Sequence, residues 1–383
     1  MSTMRKTKGS GVMPAVMTFW NADESFNQKE TERYIQWVLD CGAHSLSVTG
    51  STGENISMSD DEQKKIIECL VKFVDHQVPV YPGTGKYGTA QTIEMTKFAQ
   101  KCGAEGALVI MPYYLIPHKR AVVNHFKKLR EAVGDDFDII LYNNPRFCGY
   151  QFEPIELKEL AEQGIINGVK LADGRASYIQ GMKHYCPDGI TALYGHDYEP
   201  LPAFFAGADG WLSGLPGIFP KFCVDLFNLC TVQQDAPAAR KLWDKMQDFI
   251  DYFITYSNND PHWHEVFKMS SSASASTPAC PVCRWATCCP RRRRRSTLCW
   301  PTWTSPSRRP TSSSKGNTAQ LHLRSSSDIF RRMPSLNYAA VPKHSSPFSH
   351  PAPEDRTPLL RRGGYPLQAM IPDPTIKRIK GAS

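Results

Sequence analysis

The sequence predicts an α/β protein: a (β/α)8 TIM barrel over residues 11–220, a short and incomplete helical region over 221–268, and a separate tail over 269–383. Three observations predict it. Short apolar runs alternate with helical stretches through the first 220 residues. Many of these runs are apolar throughout, as parallel strands covered by helices should be. And three segments repeat one pattern, CGAHSLSV from Cys41, CGAEGALV from Cys102 and AGADGWLS from Ala206, in which a helix ends on Gly-Ala and a strand follows. A glycine just past a helix suits the left-handed C-terminal cap, and a regular βα alternation favours a closed barrel. An open doubly wound sheet is the structural competitor, but no Gly-x-Gly-x-x-Gly follows the first strand, which counts against a dinucleotide-binding version.

Residues 1–10 form an N-terminal arm without an apolar core, so no secretory signal is expected. Eight strand candidates follow: VMPAVMTF from Val12, SLSVT from Ser45, VPVYPG from Val78, ALVIMP from Ala107, DIILYN from Asp138, INGVKLA from Ile166, TALYG from Thr191 and GWLSG from Gly210. Between the second and third, Ser59 and Glu62 spell a capping box, and Ile66, Ile67, Leu70, Val71 and Val74 then fall on one helical face. After Pro220 only helical patterns remain, FCVDLFNLC and ARKLWDKMQDFIDYFITY.

The formal charge of +8 would suggest an acidic partner, but it is unevenly placed. Residues 1–268 carry 26 Lys+Arg against 33 Asp+Glu, whereas the tail carries 19 against 4. The body is therefore mildly acidic, and nucleic acid is not an expected partner for it. Seven of the twelve cysteines (Cys41, Cys69, Cys102, Cys148, Cys186, Cys223 and Cys230) are scattered singly through the body and read as reduced core residues. No apolar run approaches a membrane span, so a cytoplasmic protein without membrane association is expected.

A barrel keeps its chemistry at the C-terminal ends of the strands, and four motifs fall there. GSTGE, Gly50 to Glu54, follows the second run; its hydroxyls at Ser51 and Thr52 and its backbone N–H groups around Gly53 suit a carboxylate. Strand four ends in Pro112-Tyr113-Tyr114, and strand five in Tyr142-Asn143-Asn144-Pro145. Strand six carries Lys170 within GVKLADG. Burying a charged amine is costly unless it is paired or neutralised. Desolvation favours the neutral amine, which can attack a ketone to form a Schiff base, and a neighbouring tyrosine could move the protons. Taken singly, each motif is an ordinary turn, strand end or salt-bridged lysine. Their combination in order on successive barrel positions points to chemistry.

In that combination the chain resembles the dihydrodipicolinate synthase / N-acetylneuraminate lyase family of Schiff-base aldolases, over roughly Gly11 to Lys268. The resemblance implies a barrel with a C-terminal helical region, assembled as a homotetramer (a dimer of dimers), with no cofactor and no metal. It implies that Lys170 forms the imine with pyruvate or another 2-oxo acid and that Tyr142 is the general acid/base. It matches Ser51 and Thr52 to the hydroxyl pair that holds the carboxylate and relays the proton. It matches Tyr114 to the tyrosine that, in the synthase branch, reaches into the neighbouring subunit.

Departures from the family pattern fall on the acceptor side. Lysine-pathway synthases usually carry an arginine five residues after the catalytic tyrosine; here that position is Phe147, with Arg146 one place earlier. On an extended segment a one-residue shift reverses side-chain direction. After the lysine stand Asp173, Gly174 and Arg175, so Asp173 and Arg175 are candidates for an acceptor pocket of different charge. GSTGEN is closer to the lyase branch's spelling. The expectation is therefore a pyruvate-type aldolase or lyase with an aldehyde acceptor. A lysine-pathway synthase, a 2-keto-3-deoxy sugar-acid dehydratase, and a product inactivated by its altered C-terminus are the alternatives.

From Met269 the composition changes. Cys280-x-x-Cys283 with Cys288 and Cys289 could hold zinc and Arg291–Arg295 could hold nucleic acid, but a second well-spaced cysteine pair is missing. A shifted reading frame accounts for the Cys, Trp, Arg and Ser enrichment together: one back-translation of TLCWPTWT, stepped by one base, reads Ala-Leu-Leu-Ala-Asp-Leu-Asp. On that reading the tail is disordered and the last family helix is missing.

Overall fold

The computed structural model describes residues 5–186, 189–256, 263–264 and 266–268. The tail from 269, with its zinc, nucleic-acid and reading-frame calls, lies outside the described residues.

The protein is an α/β fold around a six-stranded parallel sheet: β1 (Gly11–Pro14), β2 (Gly106–Ile110), β3 (Asp138–Asn143), β4 (Gly168–Leu171), β5 (Thr191–Tyr194) and β6 (Gly210–Ser213), in the order β1-β6-β5-β4-β3-β2. The expected second and third strands are a correction. Both appear only as isolated parallel bridges, Ala15↔Ser47, Leu46↔Val80 and Gly83↔Leu108. They still occupy the gap between β1 and β2: Val16 N donates to Ser47 O, Tyr81 N to Leu46 O and Leu108 N to Pro82 O. The ladder is broken for chemical reasons. Pro79 and Pro82 have no N–H to give. The Val80 N–H goes to the Glu105 carboxylate at 2.8 Å instead of to a neighbouring strand. Thr49 leaves extended geometry altogether, at φ 47°.

Helices alternate with the strands and their ends are written in the sequence. Helix Asp60–Val74 starts on the Ser59–Glu62 capping box and buries Ile66, Ile67, Leu70, Val71 and Val74. Helices Gln28–Asp40 and Thr89–Lys101 end before Gly42 and Gly103, and helix Pro200–Phe205 before Gly207, at φ 90°, 94° and 96°. A side chain would be strained there, which explains the thrice-repeated Gly-Ala.

Strand residues sort into two apolar layers by the two-residue period. Val12, Ile139, Leu141, Val169 and Leu171 join the large cluster under the helices. Met13, Tyr81, Leu108, Ile140, Tyr142, Leu193 and Leu212 form a second, inner cluster. Lys170 lies between Val169 and Leu171, so the same alternation turns it to the inner side.

The N-terminal arm closes the end of the sheet where the strands begin. Asp138, at the start of β3 and fully buried, accepts from Arg5 Nη1 at 2.5 Å, Lys8 N at 2.6 Å and Tyr81 Oη at 2.9 Å. Thr7 N donates to Thr191 Oγ1 at 3.0 Å, and Lys6 Nζ to Asp209 at 3.1 Å. Beyond β6 run helices Pro220–Thr231, Ala236–Trp243 and Gln247–Tyr256, then helical residues at 263–264 and 266–268. Phe267 is buried, stacked on Phe253 at 4.9 Å, in a seat that only a glycine at position 214 leaves open.

The scattered cysteines are free thiols; Cys148, Cys186, Cys223 and Cys230 are buried, and Cys41, Cys69 and Cys102 are partly so. Among the described residues no helix is long and apolar enough to cross a membrane.

Candidate active site

Parallel register brings two of the candidates side by side. Tyr142, the fifth residue of β3, pairs with Lys170, the third of β4. The Lys170 Nζ stands 4.1 Å from the centre of the Tyr142 ring, and the two residues are 6% and 7% exposed. No carboxylate pairs with Lys170 among the described ion pairs, and its amine faces the ring. Asn144 donates from Nδ2 to the Tyr142 hydroxyl at 2.9 Å and so orients it. Asn143 ties the following loop by accepting from Phe152 N and donating to Phe152 O.

Two groups about Lys170 were not found from the sequence. Gly195, just after β5, lies against the lysine stem: a Cβ there would meet Lys170 Cγ at 2.8 Å, Lys170 Cε at 3.0 Å and Leu171 O at 2.8 Å. Asp197, two residues on, accepts from Leu215 N at 2.9 Å. Burial raises its carboxyl above the ordinary range, and hydrogen bonds from Leu215 and Ser213 and the charges of His196 and Lys170 oppose that rise. The only local signal for these was GHDYE directly after a strand, where barrel chemistry is expected.

Ser51, Thr52 and Gly53 lie in the turn that follows the Leu46–Ser47 bridges, at the same strand-end face as Tyr142 and Lys170. Thr52 and Gly53 are buried and Ser51 half-buried. The turn is tightly made: Glu54 N donates to Ser51 O, Thr18 Oγ1 to Gly53 O at 2.8 Å, and Glu54 adopts φ 65°.

The remaining candidates are peripheral. Tyr114 is 86% exposed, at φ 73°, and touches the Tyr87 ring at 6.4 Å. Leu115, Ile116 and Tyr87 beside it are also exposed. Arg146 is exposed, in the short helix Pro145–Cys148. That corrects the premise of an extended segment: Asn144 caps a helical turn there, so Arg146 and Phe147 sit about 100° apart around an axis and not on opposite faces. Asp173 is not an open pocket charge. It accepts from Gln151 Nε2 at 3.0 Å and from Arg175 Nε at 2.7 Å, while the Arg175 guanidinium lies 4.3 Å from the Tyr178 ring centre.

Comparison with known proteins agrees with this arrangement. The sequence profile of the dihydrodipicolinate synthetase family matches residues 8–264. The 4-hydroxy-tetrahydrodipicolinate synthase of Thermodesulfovibrio yellowstonii is 34% identical over 251 residues, 66% of this chain and 85% of that protein. The synthase of the same name from Clostridium novyi is 31% identical over 256 residues, 66% of this chain and 84% of that protein. Among solved structures, a prophage protein of the dihydrodipicolinic acid synthase family from E. coli K12, in complex with pyruvate, superposes with a TM-score of 0.64 at 25% identity, over 73% of this chain and 95% of that one. With the lysine and tyrosine side by side at the strand ends and a family match over two thirds of its length, the chain belongs to the dihydrodipicolinate synthetase family of Schiff-base-forming lyases.

Proposed function

We propose that the chain is a class I aldolase or lyase that carries pyruvate, or another 2-oxo acid, as an imine on Lys170 and joins it to, or releases it from, an aldehyde. The observation that carries this reading is the Lys170 amine, nearly excluded from solvent and 4.1 Å over the Tyr142 ring. In the proposed step the Lys170 nitrogen attacks the keto carbon. Tyr142 hands protons on and off the carbinolamine oxygen, which leaves as water. Tyr142 then takes a proton from the adjacent carbon while the protonated imine accepts the electron pair of that C–H bond, giving the enamine that attacks the aldehyde. Ser51, Thr52 and Gly53 hold the 2-oxo acid carboxylate, Thr52 passes the proton outward, and Tyr114 serves the site of a neighbouring copy. Arg146 and Asp173 stand on the acceptor side, Asp173 through its pairing with Arg175.

The same reading takes the sheet with its two bridged segments as a (β/α)8 barrel over 11–220, with the arm at 1–10 and the helical region at 221–268. The exposed Tyr87, Tyr114, Leu115 and Ile116 support a homo-oligomer in which this corner is covered by a second copy. Borohydride reduction in the presence of pyruvate tests the core of it. Mass spectrometry should find one reduced adduct on Lys170, absent from Lys170→Arg; a folded wild-type protein without adduct would sink the reading. A panel of aldehyde acceptors offered with pyruvate then separates an aldolase from a lysine-pathway synthase or a sugar-acid dehydratase.

A further inference from the structure

The Ser51–Thr52 turn is gripped from the far end of the chain. His264 Nε2 donates to the Thr52 carbonyl at 2.9 Å, across 212 residues of sequence. Its Nδ1 faces Glu54 Oε1 at 3.7 Å. Lys268 Nζ reaches Glu54 Oε2 at 2.5 Å, and Trp20 Nε1 donates to the same oxygen at 2.7 Å. The side chains of His264, Glu54 and Lys268 are 16%, 24% and 28% exposed. The anchor is itself fixed, because Phe267, between His264 and Lys268 in the chain, is buried against Gly214 and Phe253.

Two physical consequences follow. In a trans peptide the C=O and the next N–H point opposite ways. Holding the Thr52 carbonyl on His264 therefore fixes the Gly53 N–H away from His264. Thr18 holds the Gly53 carbonyl in the same manner. The turn needs such holding, since Thr49 and Glu54 both sit at positive φ, 47° and 65°, where a side chain is strained. The second consequence is electrostatic. Glu54 directly follows the residues read as a carboxylate cradle, and a bare glutamate there would repel the substrate's carboxylate. Lys268 lies on Glu54 and offsets that charge.

We infer that His264 and Lys268 are positioning residues for the 2-oxo acid carboxylate: the C-terminal segment pins the Thr52 carbonyl and neutralises Glu54, which sets the turn for an anion. This rests on the Schiff-base reading of Lys170 and adds who prepares its substrate's other end.

The test uses the full chain, borohydride trapping, and two carbonyl compounds, pyruvate and acetone, which differ in the carboxylate. In His264→Phe the pyruvate concentration for half-maximal trapping should rise roughly tenfold, the loss expected when a hydrogen bond that positions the turn is removed, with the acetone requirement unchanged. His264→Gln, which keeps a donor where Nε2 stood, should recover most of the pyruvate dependence. A pyruvate requirement within about twofold of wild type, or an equal rise for acetone, overturns the inference. Should His264→Phe not fold, Lys268→Met carries the same comparison. It should raise the pyruvate requirement alone, and adding Glu54→Gln should reverse the rise; no rise, or no reversal, overturns it. If wild type is not trapped by pyruvate at all, it is the Schiff-base reading that fails, a separate result.

Discussion

Replacing Gly195 by alanine asks whether the fit around the lysine stem matters. The added Cβ would lie 2.8 Å from Lys170 Cγ and 2.8 Å from Leu171 O. Ordinary carbon–carbon contact is about 3.5–4.0 Å, so one partner must withdraw by roughly 0.7–1 Å. Leu171 O is held as the acceptor of Gly195 N at 2.8 Å. The lysine stem is the freer of the two and should take the shift, carrying its Nζ off the Tyr142 ring. A misplacement of about 1 Å in a reacting group can cost on the order of a hundredfold in rate. Overpacking alone costs about 1–3 kcal/mol of stability. Gly195→Ala should therefore fold, melt a few degrees lower, and trap pyruvate on Lys170 on the order of a hundredfold more slowly. The rate of borohydride trapping at saturating pyruvate, set beside the urea midpoint, reads both effects. Wild-type trapping in a normally folded Gly195→Ala would refute the contact's role in setting the amine.

His125 and Asp138 give two more. His125 is 2% exposed with its Nδ1 on Thr89 Oγ1, and burial holds the imidazole down to about 4. Unfolded, it titrates near its ordinary value of about 6.5. As pH falls below that value the unfolded chain takes a proton that the folded one refuses. Stability is therefore whole above about 6.5 and declines toward pH 4, by roughly 3 kcal/mol in all. His125→Met should flatten that part of a urea-midpoint profile; parallel profiles would dismiss it. Asp138→Ala strips the buried acceptor from Arg5, Lys8 N and Tyr81. The urea midpoint should drop by an amount worth about 3–5 kcal/mol at constant slope, and a loss under about 1 kcal/mol would mean the arm is not held through that carboxylate.

The parts of this fold visible in its sequence are those encoded locally. Ser59-x-x-Glu62 caps its own helix, and Gly42, Gly103 and Gly207 stop theirs, because both devices act within one turn of chain. Lys170 and Tyr142 were legible as a pair because parallel register between neighbouring strands is short-range geometry. The ladder around Val80 was not, since a carboxylate at Glu105 intercepts its N–H. Arg146 was misjudged for want of the Asn144 cap, which turns an apparent strand end into a helical turn. Gly195, Asp197 and His264 act through contacts tens to hundreds of residues away, and no spacing announces them.

The N-terminal arm also has a meaning in time. Residues 5–9 leave the ribosome before any of their partners, Tyr81, Asp138, Thr191 and Asp209. The full set of contacts cannot form until the chain has been made through Asp209, and the large sequence separations slow closure. The arm then works as a latch that is complete only when Asp209 is in place. Closing it requires strands three, five and six to stand in register together, so a nascent chain stopped short of Asp209 would keep an open, protease-sensitive lower rim.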